Sequence, residues 1–324
     1  MTIITRLASA FAARPRRTRK VVDTNCLQSE ALRAYLSASA HNYVILTNYA
    51  AMEAYKGDTL KSIYRSMEIL AQHPKRVIVL RGAQDICALN GHAAASLEPL
   101  IDEVQTREFS EYCQHLLAAK RGDLSLQEQL LEHGHEATAY IDRMLMDMPT
   151  LSSGIDLMAK TYSPAELKIL RRREKHTPQM RERLIRNVLL LAQQFFKEHP
   201  SVTEWPRGPE VRNAFIFRYA LCGYVSILKR IEDGGAGKTK PKKLRNDVID
   251  VNFAAFATYF DGLITSDQRA GEIYVEAEFL LREAFAMPPW WLRALLSIAG
   301  RSGPRHSNST RSPQKIRGAE SPSQ

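Results

Sequence analysis

The stretch that most constrains this chain is Arg245-Asn-Asp-Val-Ile-Asp-Val-Asn-Phe-Ala-Ala-Phe-Ala-Thr-Tyr-Phe-Asp-Gly-Leu-Ile-Thr-Ser-Asp267. It predicts a helix opening on Asp247 and Asp250, a turn at Asp261-Gly262, a short strand over 263–265, and Asp267 just beyond it. Ala254, Ala255 and Ala257 are small, so this helix can lie close against a neighbouring sheet. Carboxylates near a helix start are favoured by the helix dipole. A carboxylate just past the C-terminal end of a strand sits where open α/β sheets place their ligands. One helix–turn–strand unit therefore directs at least two acids toward one sheet edge.

The first part of the chain supplies further strands. Residues 19–22 run into Asp23-Thr24-Asn25, a short buried strand ending in an acid. A helical pattern over 29–38 follows, then a strand over 43–47. Residues 48–56 form a helix carrying Glu53, residues 58–72 continue helical, and 76–80 is a third strand. Strands alternating with helices predict βαβ units and a parallel sheet.

Residues 93–240 lose the strand signals, and helical periodicities succeed one another. Ser163-Pro164-Ala165-Glu166 is a capping box with proline at the first helical position. Helices over 180–197 and 215–231 follow, the second largely apolar all round. The organisation expected is a basic arm (1–18), a first core part (19–92), an all-helical insertion (93–240), a second core part (241–290) and a tail with a short helix (291–324). Gly234-Gly-Ala-Gly-Lys-Thr239 is a weak match to a phosphate-binding loop, because Glu232 stands where that motif needs glycine and a helix precedes it instead of a strand. It reads as a glycine run closing a helix.

Four acids now occupy comparable places. Asp23 ends the first strand, Glu53 lies on the helix after the second, Asp250 is on the later helix, and Asp267 ends the last strand. A parallel sheet brings the C-terminal ends of its strands to one edge. Clustered carboxylates repel one another, and a hard divalent cation removes that repulsion. Mg²⁺ or Mn²⁺ on such a site suits phosphodiester hydrolysis. Asp247 competes for the third role, three residues from Asp250 and on a shared helical face. Asp250 is favoured because the small-residue run follows it in register.

These motifs resemble those of PIN-domain ribonucleases. Asp23-Thr24-Asn25 after a hydrophobic strand is similar to the family's opening motif, and Leu46-Thr-Asn-Tyr-Ala-Ala-Met-Glu53 to its second. Asp250-Val-Asn-Phe-Ala-Ala-Phe-Ala257 and Leu263-Ile-Thr-Ser-Asp267 resemble the third and fourth. The resemblance spans roughly residues 19–90 and 241–285 and departs from compact family members in its helical insertion. It implies a PIN-like parallel sheet flanked by helices, α/β in class, and Mg²⁺- or Mn²⁺-dependent cleavage, usually of RNA. Asp23, Glu53, Asp250 and Asp267 would be the metal-binding and catalytic acids, with Thr24, Asn25 and Thr265 as polar support.

Composition bears on partners. Lys+Arg 45 against Asp+Glu 35 gives a formal net charge of +10, compatible with a polyanion. Lys240, Lys242, Lys243 and Arg245, with Arg171 and Arg172 in the insertion, are the candidate nucleic-acid contacts. His133-Gly-His135 lacks a third ligand and its histidines point to different sides of a helix, so a surface role is expected. Cys26, Cys87, Cys113 and Cys222 form no CxxC pair, which disfavours a zinc ribbon and fits a reducing, cytoplasmic setting. No long apolar run predicts a membrane span. The Arg-rich opening over 1–20 suits either a basic arm or a targeting segment. A structure-selective DNA nuclease, or a non-catalytic scaffold keeping the fold, are the alternatives; the insertion could recruit a protein partner, and self-association is open.

Overall fold

The computed structural model describes residues 16–285 apart from 90–95, 201, 203–205, 207 and 236–238. Its sheet has four parallel strands, β1 (Thr18–Val22), β2 (Asn42–Leu46), β3 (Val77–Val79) and β4 (Leu263–Ile264), in the order β3-β2-β1-β4. Val21 and Val22 of β1 are fully buried, as expected of β-branched residues on a strand covered on both faces. β1 pairs Val21 with Ile45 on one side and with Leu263 on the other. Between β1 and β4 the strand order reverses direction.

Helices α1 (Glu30–Ala38), α2 (Asn48–Ala54) and α3 (Thr59–Ala71) make the crossovers. Their starts are written into the sequence: Ser29 Oγ accepts from Leu32 N at 3.2 Å, and Thr47 Oγ1 from Ala50 N at 3.1 Å. After β3 come α4 (Ala83–Cys87), α5 (Glu103–Lys120), α6 (Leu124–Arg143), α7 (Met148–Ala159), α8 (Pro164–Arg171), α9 (Pro178–Glu198) and α10 (Phe215–Glu232). The capping box holds: Ser163 N donates to Glu166 Oε2 at 2.8 Å and Glu166 N to Ser163 Oγ at 3.3 Å. Then α11 (Pro241–Ala257), β4 and α12 (Gln268–Glu283) complete the described chain.

The helical segment shares the core of the α/β part. Helix α10 is buried on nearly every side, the behaviour of a helix apolar all round. Phe215 at its start stacks on Phe256 of α11 with ring centroids 4.4 Å apart. The Tyr224 hydroxyl meets Tyr162 at 2.9 Å and Asn187 Nδ2 at 3.0 Å, so its polar end is satisfied inside the bundle. One apolar cluster runs from β1 to α12.

One sequence expectation changes here. Helix α11 starts at Pro241, not at Asp247, so Asp247 and Asp250 are mid-helix and the dipole argument for them fails. The basic residues around Pro241 disguised a helix start that proline at the first position favours. The glycine run after α10 closes the helix by a Schellman motif: Gly234 N donates to Ile231 O at 3.1 Å and Gly235 N to Arg230 O at 2.7 Å. Gly234 has φ 103°, which suits glycine. Residues 236–238 of that run, the arm over 1–15, and the expected helix and tail from 287 onward lie outside the described residues.

Gly134, between the two histidines of α6, has a packing reason. A Cβ there would come within 2.4 Å of the Thr59 hydroxyl at the start of α3. His133 rests edge-on against the Tyr55 ring and 3.6 Å from Glu136. All four cysteines are free, and among the described residues no helix is long and apolar enough to cross a membrane.

Candidate active site

The strand order reverses at β1 and β4, and the acids stand at the C-terminal ends of these two strands. Open parallel sheets bind ligands at such a point. Asp23 follows Val22 directly and is 1% exposed; its backbone N–H bonds Ile264 O at 2.9 Å, continuing the ladder. Thr265, one residue past β4, donates its hydroxyl to Asp23 Oδ2 at 2.7 Å and accepts from Asp267 N at 3.0 Å. One threonine thus joins the acids that end two neighbouring strands.

Asp267 is the N-cap of α12. Its Oδ1 accepts from Arg269 N at 2.7 Å and Ala270 N at 3.0 Å. Glu53 arrives from α2 and is tied to the β1 end by Thr24, whose hydroxyl donates to Glu53 Oε2 at 3.0 Å. Lys56 stands 3.7 Å from its other oxygen. Asn25 is exposed, and both its backbone N–H and its side-chain amide reach the Asp23 carboxylate at 3.4 Å.

Asp250 comes from the middle of α11 and completes the group. Burial, and then the charges of Asp267, Asp23, Asp247 and Glu53, push its carboxyl up to about 8. Burial also raises Asp23; hydrogen bonds from Thr265 and Asn25 oppose this, and the Asp267 charge adds to it. Four sequence-selected acids therefore share one electrostatic environment at one sheet edge.

Asp247, the alternate third acid, has a different partner. It is buried, and Arg230 of α10 donates Nε to its Oδ2 and Nη2 to its Oδ1, both at 2.5 Å. Such a two-point pair engages both oxygens. Arg230 went unnoticed in the sequence because an arginine near the end of an apolar helix carries no local sign of a partner 17 residues away.

The basic candidates divide. Lys240, Lys242 and Lys243 are exposed at the start of α11. Arg245 is not: it is 2% exposed, with Nη1 3.8 Å from Asp142 and Nη2 donating to Asn246 at 3.2 Å. This corrects its assignment to nucleic-acid contact, since a cation on the inner face of the helix is out of reach of a surface polyanion. Arg171 and Arg172 are exposed at the end of α8. Arg173 next to them adopts φ 54° and stands 3.8 Å from Glu232 and 3.5 Å from Glu272. Glu272 lies five residues past Asp267, about 7.5 Å along α12 at the rise of a helix. The basic turn therefore borders the helix that Asp267 caps.

The donor chemistry suits a hard divalent cation, being all carboxylate oxygen with buried charge in need of compensation. The arrangement is looser than a formed metal cage. Among the described residues, no group of three or more His, Cys, Asp and Glu side chains is placed to hold a metal ion. Asp23, Glu53 and Asp267 each turn at least one oxygen toward a hydroxyl or backbone N–H instead.

No family model, curated protein or solved structure matches the chain.

Proposed function

We propose that this chain is a metal-dependent nuclease, most simply an endoribonuclease, with Mg²⁺ or Mn²⁺ held by Asp23, Glu53, Asp250 and Asp267. The observation that carries this is the meeting of acids at one sheet edge, with Thr265 joining Asp23 to Asp267 and Thr24 joining Glu53 to the end of β1, while burial and these acids push the Asp250 carboxyl up. A helix residue placed against so much like charge is destabilising unless a cation or proton compensates it. The metal, when bound, supplies a water nucleophile of lowered pKa and screens the phosphate charge.

The chain's own residues have separable tasks. Asp250 gives up its proton when a cation is taken, so binding strengthens as pH rises toward 8. Thr265 and Thr24 fix the carboxylates that accept from them. Lys240, Lys242, Lys243, Arg171 and Arg172 hold the phosphate backbone on either side of the acids. Preference for RNA rests on the likeness to PIN-domain ribonucleases. The free cysteines accord with a cytoplasmic setting.

The test is cleavage of matched RNA and DNA oligonucleotides with Mn²⁺. RNA cutting that is abolished in Asp23→Asn supports the proposal. DNA cutting alone moves the assignment to a DNA nuclease. Intact cutting by Asp23→Asn overturns the site. A non-catalytic scaffold is the competing reading, favoured by the absence of a ready metal-holding group among the described residues. It predicts no cutting of either polymer.

A further inference from the structure

A cavity of about 730 Å³ lies between α7, α9, α10 and α11, where Leu244, Asp247, Val248 and Val251 of α11 line it. Its walls are apolar and rich in methionine, with Met144, Met148 and Met158 among them. Methionine adapts its shape to what it meets. The volume is within the range of small-molecule sites, which are concave, mostly apolar, and carry few polar groups. Thr150, Gln194 and Glu198 are exposed at the mouth, whereas Ser226, Arg230 and Asp247 are buried at the floor.

Two features of the lining bear on what this space could hold. Gly154 in α7 and Gly223 in α10 both line it, and a Cβ added at either would meet nothing within 4 Å. Neither has positive φ. A glycine inside a helix is destabilising relative to alanine, and nothing in the packing requires one here. Their effect is to keep the cavity wide.

The second feature is Ser226. The residue is 6% exposed and lines the floor, and its hydroxyl has no protein hydrogen-bond partner among the described residues, so the oxygen is open to whatever fills the cavity. One turn along α10, Arg230 turns Nε and Nη2 to Asp247 and leaves Nη1 outside that pair. The floor thus offers the Ser226 hydroxyl and Arg230 Nη1 beside an Asp247 carboxylate whose two oxygens are already engaged by Arg230, and the mouth carries the acidic Glu198, bonded among the described residues only by Gln194.

We propose that this cavity binds one single-chain acyl molecule. Its hydrocarbon lies along the methionine walls, and its carbonyl or carboxylate end meets Ser226 and Arg230 at the floor. An acceptor head is disfavoured beside Glu198 at the mouth and favoured beside the donors within. None of Asp23, Glu53, Asp250 and Asp267 lines the cavity, and binding there does not depend on the nuclease reading.

The test is calorimetric titration of the full chain with dodecanoate below its micelle concentration, without metal or nucleic acid. One molecule should bind per chain. Gly223→Leu and Gly154→Leu occupy the space from opposite walls, and each should weaken binding at least about tenfold while the thermal transition by circular dichroism is kept. Gly154 is exposed on its helix, so this variant folds even if Gly223→Leu does not. Ser226→Ala should weaken dodecanoate by about three- to tenfold, the worth of one hydrogen bond. Dodecyltrimethylammonium, which has the same chain and no acceptor, should bind far more weakly. Absent binding, several molecules per chain, binding unchanged in both leucine variants, or equal binding of the cationic amphiphile would each overturn the proposal.

Discussion

Asp247 and Asp250 stand three residues apart on one helix and meet opposite fates. Asp247 is buried against Arg230, with both oxygens engaged by one guanidinium. Asp250 has no ion pair among the described residues, and burial and then the charges of Asp267, Asp23, Asp247 and Glu53 push its carboxyl up to about 8. The same residue type on the same helix is paired with a cation on one side and left among like charges on the other. Burial alone does not mark a functional acid; what distinguishes the two is whether the protein itself supplies the counter-charge. A site that withholds it invites a ligand.

The largest effect should come from breaking the satisfied side. Arg230→Met leaves Asp247 buried and unpaired, and should cost about 3–5 kcal/mol in urea denaturation. The double variant Arg230→Met/Asp247→Leu should recover most of that loss, because two apolar side chains replace two buried charges. If the single and double variants are equally unstable, the pair is not what Arg230 contributes.

The unsatisfied side should respond in the opposite sense. Below about pH 4 Asp250 is protonated in both folded and unfolded chains; between about 4 and 8 only the folded chain holds the proton. Folding then takes up a proton, so stability falls as pH rises through that window and the full cost is present above about pH 8. Asp250→Asn should therefore be more stable than the parent at pH 8.5, on the order of 2–4 kcal/mol, with the gap closing toward pH 4. A gap that is constant across pH would mean Asp250 is not held protonated by its neighbours.

Smaller effects should follow from the supports. Thr265→Val removes the hydroxyl that joins Asp23 to Asp267 and should cost about 1 kcal/mol, with the Asp23 carboxyl rising further when followed by carbon-detected NMR. The smallest change in stability, within about 0.5 kcal/mol, is expected for Lys242→Ala/Lys243→Ala, both exposed. That variant should instead bind single-stranded RNA more weakly and with a shallower salt dependence. Arg245→Ala should do the reverse, losing stability because the buried cation is removed from α11. Equal salt slopes for parent and lysine variant would remove these lysines from the nucleic-acid surface.

Much of the sheet was legible because its signals are local. A β-branched run ended by Asp23, a threonine before Asn48 and an aspartate before Gln268 each announce an element boundary through chemistry within a few residues. The parallel α/β class followed from strands alternating with helices. The start of α11 was not legible, because the lysines around Pro241 resemble a solvated linker. Nor was the buried state of Arg245, which sits in a charge run yet faces inward with Leu244. Arg230 is the clearest case: its partner is set only when α10 packs on α11, and no local pattern records that contact. The acids could be chosen from sequence because each follows a strand end or rides the next helix. Which of Asp247 and Asp250 belongs with them depended on a neighbour that only the packing supplies.

The proposed role of Asp23, Glu53, Asp250 and Asp267 is to hold a divalent cation together. It is tested most directly by calorimetric titration with Mn²⁺ at pH 6.5 and 7.5, beside Asp250→Asn and Asp23→Asn/Asp267→Asn. The account predicts binding that releases protons, tightens at the higher pH, loses its proton release in Asp250→Asn and disappears in the double variant. No binding by the parent, or equal binding by the double variant, would contradict it.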